Sequence, residues 1–252
     1  MSLIRPVWGA PGGVHAAMTT RLGGVSVAAY DSLNLGYATA DDRVSVMQNE
    51  RLTAAALGVP EADFRWVYQV HGIDVHHAES LPVNTPLGAT EVKGDAVVSH
   101  TPGLVCAVKV ADCMAVLFAA RDGSAVGAAH AGWRGLSGGV LERSVEALRV
   151  APEKIVAWLG PCIGPTAFEV GEEVRAAFVA HDPLAALHFV ARETSGKFLC
   201  DMYSIARQRL RAVGVADVSG GEYCTFNQSN LFFSHRREPV TGRMAAFVWI
   251  ER

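Results

Sequence analysis

The chain has 252 residues, 50% of them hydrophobic, enough to bury a large core. Its 22 basic and 25 acidic residues leave a net charge of −3 with no basic run, which argues against a general nucleic-acid binder or a polybasic membrane surface. No apolar stretch is long enough to span a bilayer, MSLIRPVWGAPGG lacks the apolar core of a signal peptide, and the five cysteines are odd in number and scattered, so a reducing cytoplasm is the expected setting.

Residues 14–20 read as a strand leading into Arg21, Leu22, Gly23 and Gly24. Paired glycines mark a tight turn, which serves equally as a surface turn or as a place for close approach to a ligand. Ser32-Leu33-Asn34-Leu35-Gly36 is a second short polar loop. Residues 41–57 have helical character, with Asp41 or Asp42 as cap, Val46, Leu52, Ala55 and Ala56 inward, and Gly58 with Pro60 as the stop. A strand over 65–70 ends at His71-Gly72, a short extended run covers 74–77, and Gly94-Asp95 opens a strand over Ala96–Ser99. The stretch around Cys106 is apolar on both faces, as in a buried central strand. Helical spacing covers 136–148, and Ile155–Leu159 is a strand stopped by Gly160-Pro161-Cys162-Ile163-Gly164-Pro165. Helices follow over 172–180 and 201–213, the second capped by Asp201 and Gly214. Residues 223–234 form a polar, aromatic loop, and Met244–Ile250 a last strand. Hairpins mixed with helices, without strict βαβ alternation, predict an α/β or α+β fold with mixed sheets.

The most informative stretch is 111–135, ADCMAVLFAARDGSAVGAAHAGWRG. Two apolar runs, 114–120 and 125–129, flank Asp122-Gly123, a dipeptide suited to a type I′ turn. Counting outward from that turn sets Leu117 opposite Ala128, Ala115 opposite His130 and Cys113 opposite Gly132. Cys113 and His130 then share one face as diagonal neighbours, roughly 7–8 Å apart, a separation one metal ion can bridge.

Among the nine histidines, His71 and His130 each end a strand before a glycine-containing turn. His76, His77 and His100 are rivals, whereas His15, His181 and His188 lack such a setting. Asp112, beside Cys113, is placed to orient a ligand. Two histidines and one thiolate would give tetrahedral zinc an open fourth position, as in a catalytic site. Spacing alone equally allows a buried thiol beside a structural histidine.

The ordered motifs QVHG (69–72), GDA (94–96), ADC (111–113), AHAGWRG (129–135) and GPCIGP (160–165) resemble the laccase-domain family, also called the YfiH or polyphenol-oxidase family. TTRLGGVS (19–26), SLNLG (32–36) and SHRR (234–237) extend the resemblance over nearly the whole chain. The resemblance implies one domain over 1–252, a layered αββα architecture, and His71, Cys113 and His130 as zinc ligands, with zinc ahead of copper. It also implies a monomer or weak dimer. The implied activity is phosphorolysis of adenosine, inosine or S-methyl-5′-thioadenosine to a base and a ribose 1-phosphate, with adenosine deamination alongside. The substrates are then purine nucleosides and phosphate.

Multicopper oxidase chemistry is not expected, because such sites use many histidines, usually in His-X-His pairs, and this chain has none of those pairs. Phosphorolysis needs cations for phosphate, and Arg21 and Arg236 are the catalytic candidates, with Arg134 a weaker one able to contact substrate. Asp95 is a further catalytic candidate, and Asn34 and Gln69 could bind ribose hydroxyls or purine edges. The alternatives are a metal-free hydrolase with Cys113 as nucleophile and His130 as base, a peptidoglycan-precursor editing enzyme, and a non-catalytic zinc module.

Overall fold

The computed structural model describes residues 1–83 and 91–252. Two sheets pack face to face. One has six strands, in the spatial order Asp217–Gly220, Ile155–Leu159, Met114–Ala120, Val126–Ala131, Ala96–Ser99 and Val75–His77. The other has five, in the order Leu3–Ile4, Val14–Thr19, Met244–Ile250, Val105–Val110 and Phe64–Arg65. A small antiparallel sheet of Glu169–Gly171, Lys197–Cys200 and Phe189–Ala191 is paired to neither, and its Val170, Phe189 and Cys200 join the core on the outer face of the six-stranded sheet. Among the described residues five α-helices complete the fold: α1 (Arg43–Leu57), α2 (Trp133–Gly138), α3 (Val140–Ala147), α4 (Glu172–His181) and α5 (Met202–Ala212). No described helix is long and apolar enough to cross a membrane.

The period-two alternation of the strands explains the layers. Ala115, Leu117 and Ala119 face the other sheet, where Ala16, Met18, Val108 and Val248 meet them. Their neighbours Val116 and Phe118 point the opposite way, against Leu141 and Val145 of α3 and Ile205 and Leu210 of α5. On the far side of the five-stranded sheet, Ala17, Ala107 and Phe247 pack on Ala54 and Leu57 of α1. The result is the expected αββα order, with every strand of the central hairpin buried on both faces.

The hairpin register is as expected, with Ala115 opposite His130 and Leu117 opposite Ala128. Its turn is not type I′. Gly123 alone has positive φ, at 76°, and Ala120 pairs with Ala125 around a four-residue loop. Ser124 explains the difference, because its backbone N–H and hydroxyl both donate to the Asp122 carboxylate and build a local turn from that side chain. The loop shares the centre of the expected turn, so the register survives.

Three other expectations change. The 65–70 segment is a strand only over Phe64–Arg65, because the chain then bends away to wrap a buried carboxylate described below. The helix over 136–148 is two helices, α2 and α3, broken at Gly139 with φ 107°. Helix α1 is capped by Asp42 and Gly58, but it buries Asn49, Glu50 and Thr53, leaving Ala55 and Ala56 exposed. Its inner face serves loops rather than a purely apolar core. Asn49 receives the Val25 N–H and donates to Ser26 Oγ and to the carbonyls of Ser32 and Asn34.

Candidate metal centre

Asp95 organises the site. It is fully buried just before the Ala96–Ser99 strand. Its Oδ1 accepts the His71 backbone N–H at 2.9 Å, and its Oδ2 accepts those of Val70 at 3.2 Å and Gly72 at 2.6 Å. The 70–72 segment therefore curls around one carboxylate, with His71 in the left-handed region at φ 60°. Gln69 fastens the start of the curl, since both ends of its amide bond the backbone of Lys109, at 2.7 and 2.8 Å. On its other side Asp95 Oδ1 lies 2.8 Å from His130 Nδ1. That bond fixes the imidazole so that Nε2 points away from Asp95.

Cys113 comes from the other strand of the hairpin, at the same open end as His130. Asp112 precedes it with φ 81°. The Asp112 carboxylate does not orient a ligand. It accepts Thr225 Oγ1 and the Arg236 backbone N–H, each at 2.6 Å, and so ties two loops to the strand that carries Cys113.

The Cys113 Sγ lies 3.8 Å from His71 Nε2, and the ligating atoms of His71, Cys113 and His130 all lie within 4.8 Å of one another. The two imidazole rings meet edge to face, their centroids 4.8 Å apart. His130 is buried, Cys113 half-buried and His71 exposed, so the cluster is closed beneath and open above. Gly132 is part of the cradle, because a Cβ there would lie 2.9 Å from both Cys113 Sγ and His71 Cδ2. Burial pushes the Cys113 thiol up, but the imidazoles of His130 and His71 outweigh it and favour thiolate. Burial also opposes a charged His130, and Cys113 and Asp95 more than offset it. Asp95 is itself held low despite burial, chiefly by the His130 bond. Such a soft and borderline N/S donor set fits a transition metal such as zinc.

A cavity of about 140 Å³ adjoins Cys113, walled by Trp133, Ile163, Phe168, Met202 and Arg236. Arg236 lies over the Phe168 ring at 5.3 Å, with one nitrogen bonded to the Glu169 carbonyl at 2.8 Å. Arg134 lies over the Trp133 ring at 4.4 Å. The other candidates stand differently. Arg21 donates to the carbonyls of Asp31 and Ser229 and packs on Phe233, which fastens loops together. Asn34 is buried, its Nδ2 donating to Thr39 Oγ1 and Asp41 Oδ2 and its Oδ1 accepting the N–H groups of Gly36 and Arg243. His77 stacks on His100, and His76 bonds the Lys93 carbonyl, away from the cluster. Cys162 is buried and does not line the cavity.

Trp133, Phe168 and Met202 carry no role in the sequence reading. Trp133 lies inside the GWRG stretch and was open to notice. Phe168 and Met202 follow no motif, and only folding brings them to Cys113.

Residues 15–251 match the family model described as multi-copper polyphenol oxidoreductase laccase. A protein of Escherichia coli strain K12 named purine nucleoside phosphorylase YfiH is 49% identical over 248 residues, covering 98% of each chain. Purine nucleoside phosphorylase PA4543 of Pseudomonas aeruginosa is 46% identical over the same length, again with 98% of each chain covered. The crystal structure of protein NMB0706 of Neisseria meningitidis superposes with a TM-score of 0.93 at 43% identity, with 100% of each chain covered.

Proposed function

The chain belongs to the laccase-domain family, and on that premise we propose that it is a zinc-dependent purine nucleoside phosphorylase that also deaminates adenosine. Adenosine, inosine and S-methyl-5′-thioadenosine are its proposed nucleosides. In phosphorolysis the N9–C1′ bond breaks with its electron pair going to the purine, a phosphate oxygen bonds to C1′, and the departing base takes up a proton. The observation that carries this reading is the convergence of His71, Cys113 and His130 on one open-faced cluster beside an aromatic cavity. The names of the relatives point the same way. Among the described residues this trio is the only such cluster, which favours one zinc over a multicopper arrangement.

In this reading His71, Cys113 and His130 hold the metal, and Asp95 keeps His130 in the ligating tautomer. Bound zinc would supply a Lewis acid at the mouth of the cavity. Trp133 and Phe168 give the cavity aromatic walls for a purine, each with one ring face already under an arginine. Arg236, with one nitrogen anchored on Glu169, offers the rest of its fork to phosphate. Arg21, Asn34 and Gln69 line no part of the cavity and take no contact with substrate in this reading, being committed to the bonds given above, and Arg134 covers Trp133.

A second reading has one specific observation behind it. Cys113, His130 and Asp95 also stand in the order of nucleophile, base and orienting acid, with the base-to-acid bond at 2.8 Å. That hydrolase needs neither metal nor His71. A nucleoside panel run with and without phosphate separates the readings. Ribose 1-phosphate formed only with phosphate, and lost in His71→Ala, supports the phosphorylase. Inosine formed from adenosine without phosphate supports the accompanying deaminase. No turnover of any nucleoside by zinc-replete protein refutes both.

A further inference from the structure

Arg243 stands immediately before Met244, which pairs with Val110 at the end of the five-stranded sheet. From that same end the chain runs on through Asp112 to Cys113. The SLNLG loop, which the proposed chemistry leaves unused, is built around this arginine. Buried Asn34 accepts the Arg243 backbone N–H on Oδ1 at 2.8 Å, and the Leu35 N–H donates to the Arg243 carbonyl at 3.0 Å. Gly36 lies so close that a Cβ there would sit 2.7 Å from Arg243 Cγ.

The guanidinium is half fastened. Nη1 donates to the carbonyls of Thr241 and Gly242, each at 2.9 Å, which fixes the plane. Nε and Nη2 have no hydrogen-bond partner among the described residues, and neither is sealed in the interior. Burial opposes the charge and holds the Arg243 pKa below the ordinary arginine value, with Cys113 and Asp112 offsetting only part of that. Asp112 accepts Thr225 Oγ1 and the Arg236 backbone N–H, and among the described residues it makes no ion pair with the Arg243 guanidinium.

A planar fork with two donors left over, on the residue next to the strand end from which the chain runs to Cys113, matches the edge of an oxyanion. We infer that Arg243 is a second cationic grip on the phosphate co-substrate, held in place by Asn34 and Gly36. The inference rests on the phosphorylase reading above. Arg243 does not line the aromatic cavity, so phosphate held there leaves the cavity free for the base.

The test uses the zinc-loaded full chain, with phosphate and inosine varied separately, and thermal unfolding in inorganic phosphate against chloride at matched ionic strength. Arg243→Met is expected to raise the phosphate KM about ten-fold or more. The inosine KM should change less than about two-fold, and the phosphate-dependent rise in Tm should vanish. Arg243→Lys should recover part of the loss. Gly36→Ala keeps the charge but displaces the side chain, so it should shift the phosphate KM in the same direction. If Arg243→Met fails to fold, Gly36→Ala and Arg243→Lys decide. An unchanged phosphate KM, a parallel rise in both KM values, or no effect of phosphate on the wild-type Tm overturns the inference. A wild type that makes no ribose 1-phosphate refutes the phosphorylase instead, and a Tm rise abolished by Arg243→Met would still identify the oxyanion site.

Discussion

Replacing Asp95 by asparagine tests how far one buried carboxylate builds the metal centre. Oδ1 serves the His71 N–H and His130 Nδ1, and Oδ2 serves the N–H groups of Val70 and Gly72. Asparagine has one oxygen and an NH₂ group. If the NH₂ takes the Oδ2 position, it confronts two backbone donors. If it takes the Oδ1 position, it confronts the His71 N–H and drives His130 to accept on Nδ1, which puts a proton on the nitrogen meant for the metal. Each orphaned donor costs about 1–3 kcal/mol. The lost support for a ligand costs about 10–100-fold in metal affinity, or roughly 1.4–2.7 kcal/mol. Competitive titration of zinc against a chromophoric chelator measures the affinity, and urea unfolding of the metal-free protein measures the orphaned donors separately. Asp95→Asn protein that binds zinc within about two-fold of wild type would refute the reasoning, because the tautomer argument requires at least about ten-fold.

Gly132→Ala should weaken zinc in the same titration while leaving the far-ultraviolet circular dichroism intact, since its Cβ meets Cys113 Sγ and His71 Cδ2 at 2.9 Å; unaltered affinity would contradict the cradle. Asn49→Ala removes four hydrogen bonds beneath the loops that α1 covers and should cost at least about 2 kcal/mol in urea unfolding. A loss below about 0.5 kcal/mol would show that the polar face of α1 is incidental. Glu79 accepts from Ser99 Oγ and the N–H groups of His100 and Thr101. Burial alone would raise its pKa, but these bonds bring it down to about 2 from an ordinary 4.5. A depressed folded-state pKa stabilises above the unfolded value, and that stability is lost as pH falls from about 4.5 toward 2. The unfolding free-energy difference between wild type and Glu79→Gln should therefore shrink from about pH 6 to pH 3; a difference independent of pH would count against it.

The hairpin was legible because its inputs are local. Alternation and the position of Asp122-Gly123 fix which residues face each other, and Cys113 and His130 follow. The turn type was not legible, because the Ser124 hydrogen bonds to Asp122 choose it. His71 lies 42 residues before Cys113, and no periodicity links them. Its place depends on three N–H groups gathered by Asp95, a residue that the sequence offered as a catalytic group and that folding buries beneath the ligands. Helix α1 misled for a related reason, since its inward face anchors loops through Asn49 and the helical wheel assumes an apolar partner. Arg243 belongs to no motif, and only its pairing with the Asn34 loop gives it meaning.

The most direct test is a zinc titration of metal-free protein followed by phosphate-dependent release of base from inosine. The account predicts that activity rises linearly and saturates at about one zinc per chain, and that His71→Ala, Cys113→Ser and Asp95→Asn shift or abolish the titration. Full turnover before any zinc is added, or none at saturating zinc, would contradict it.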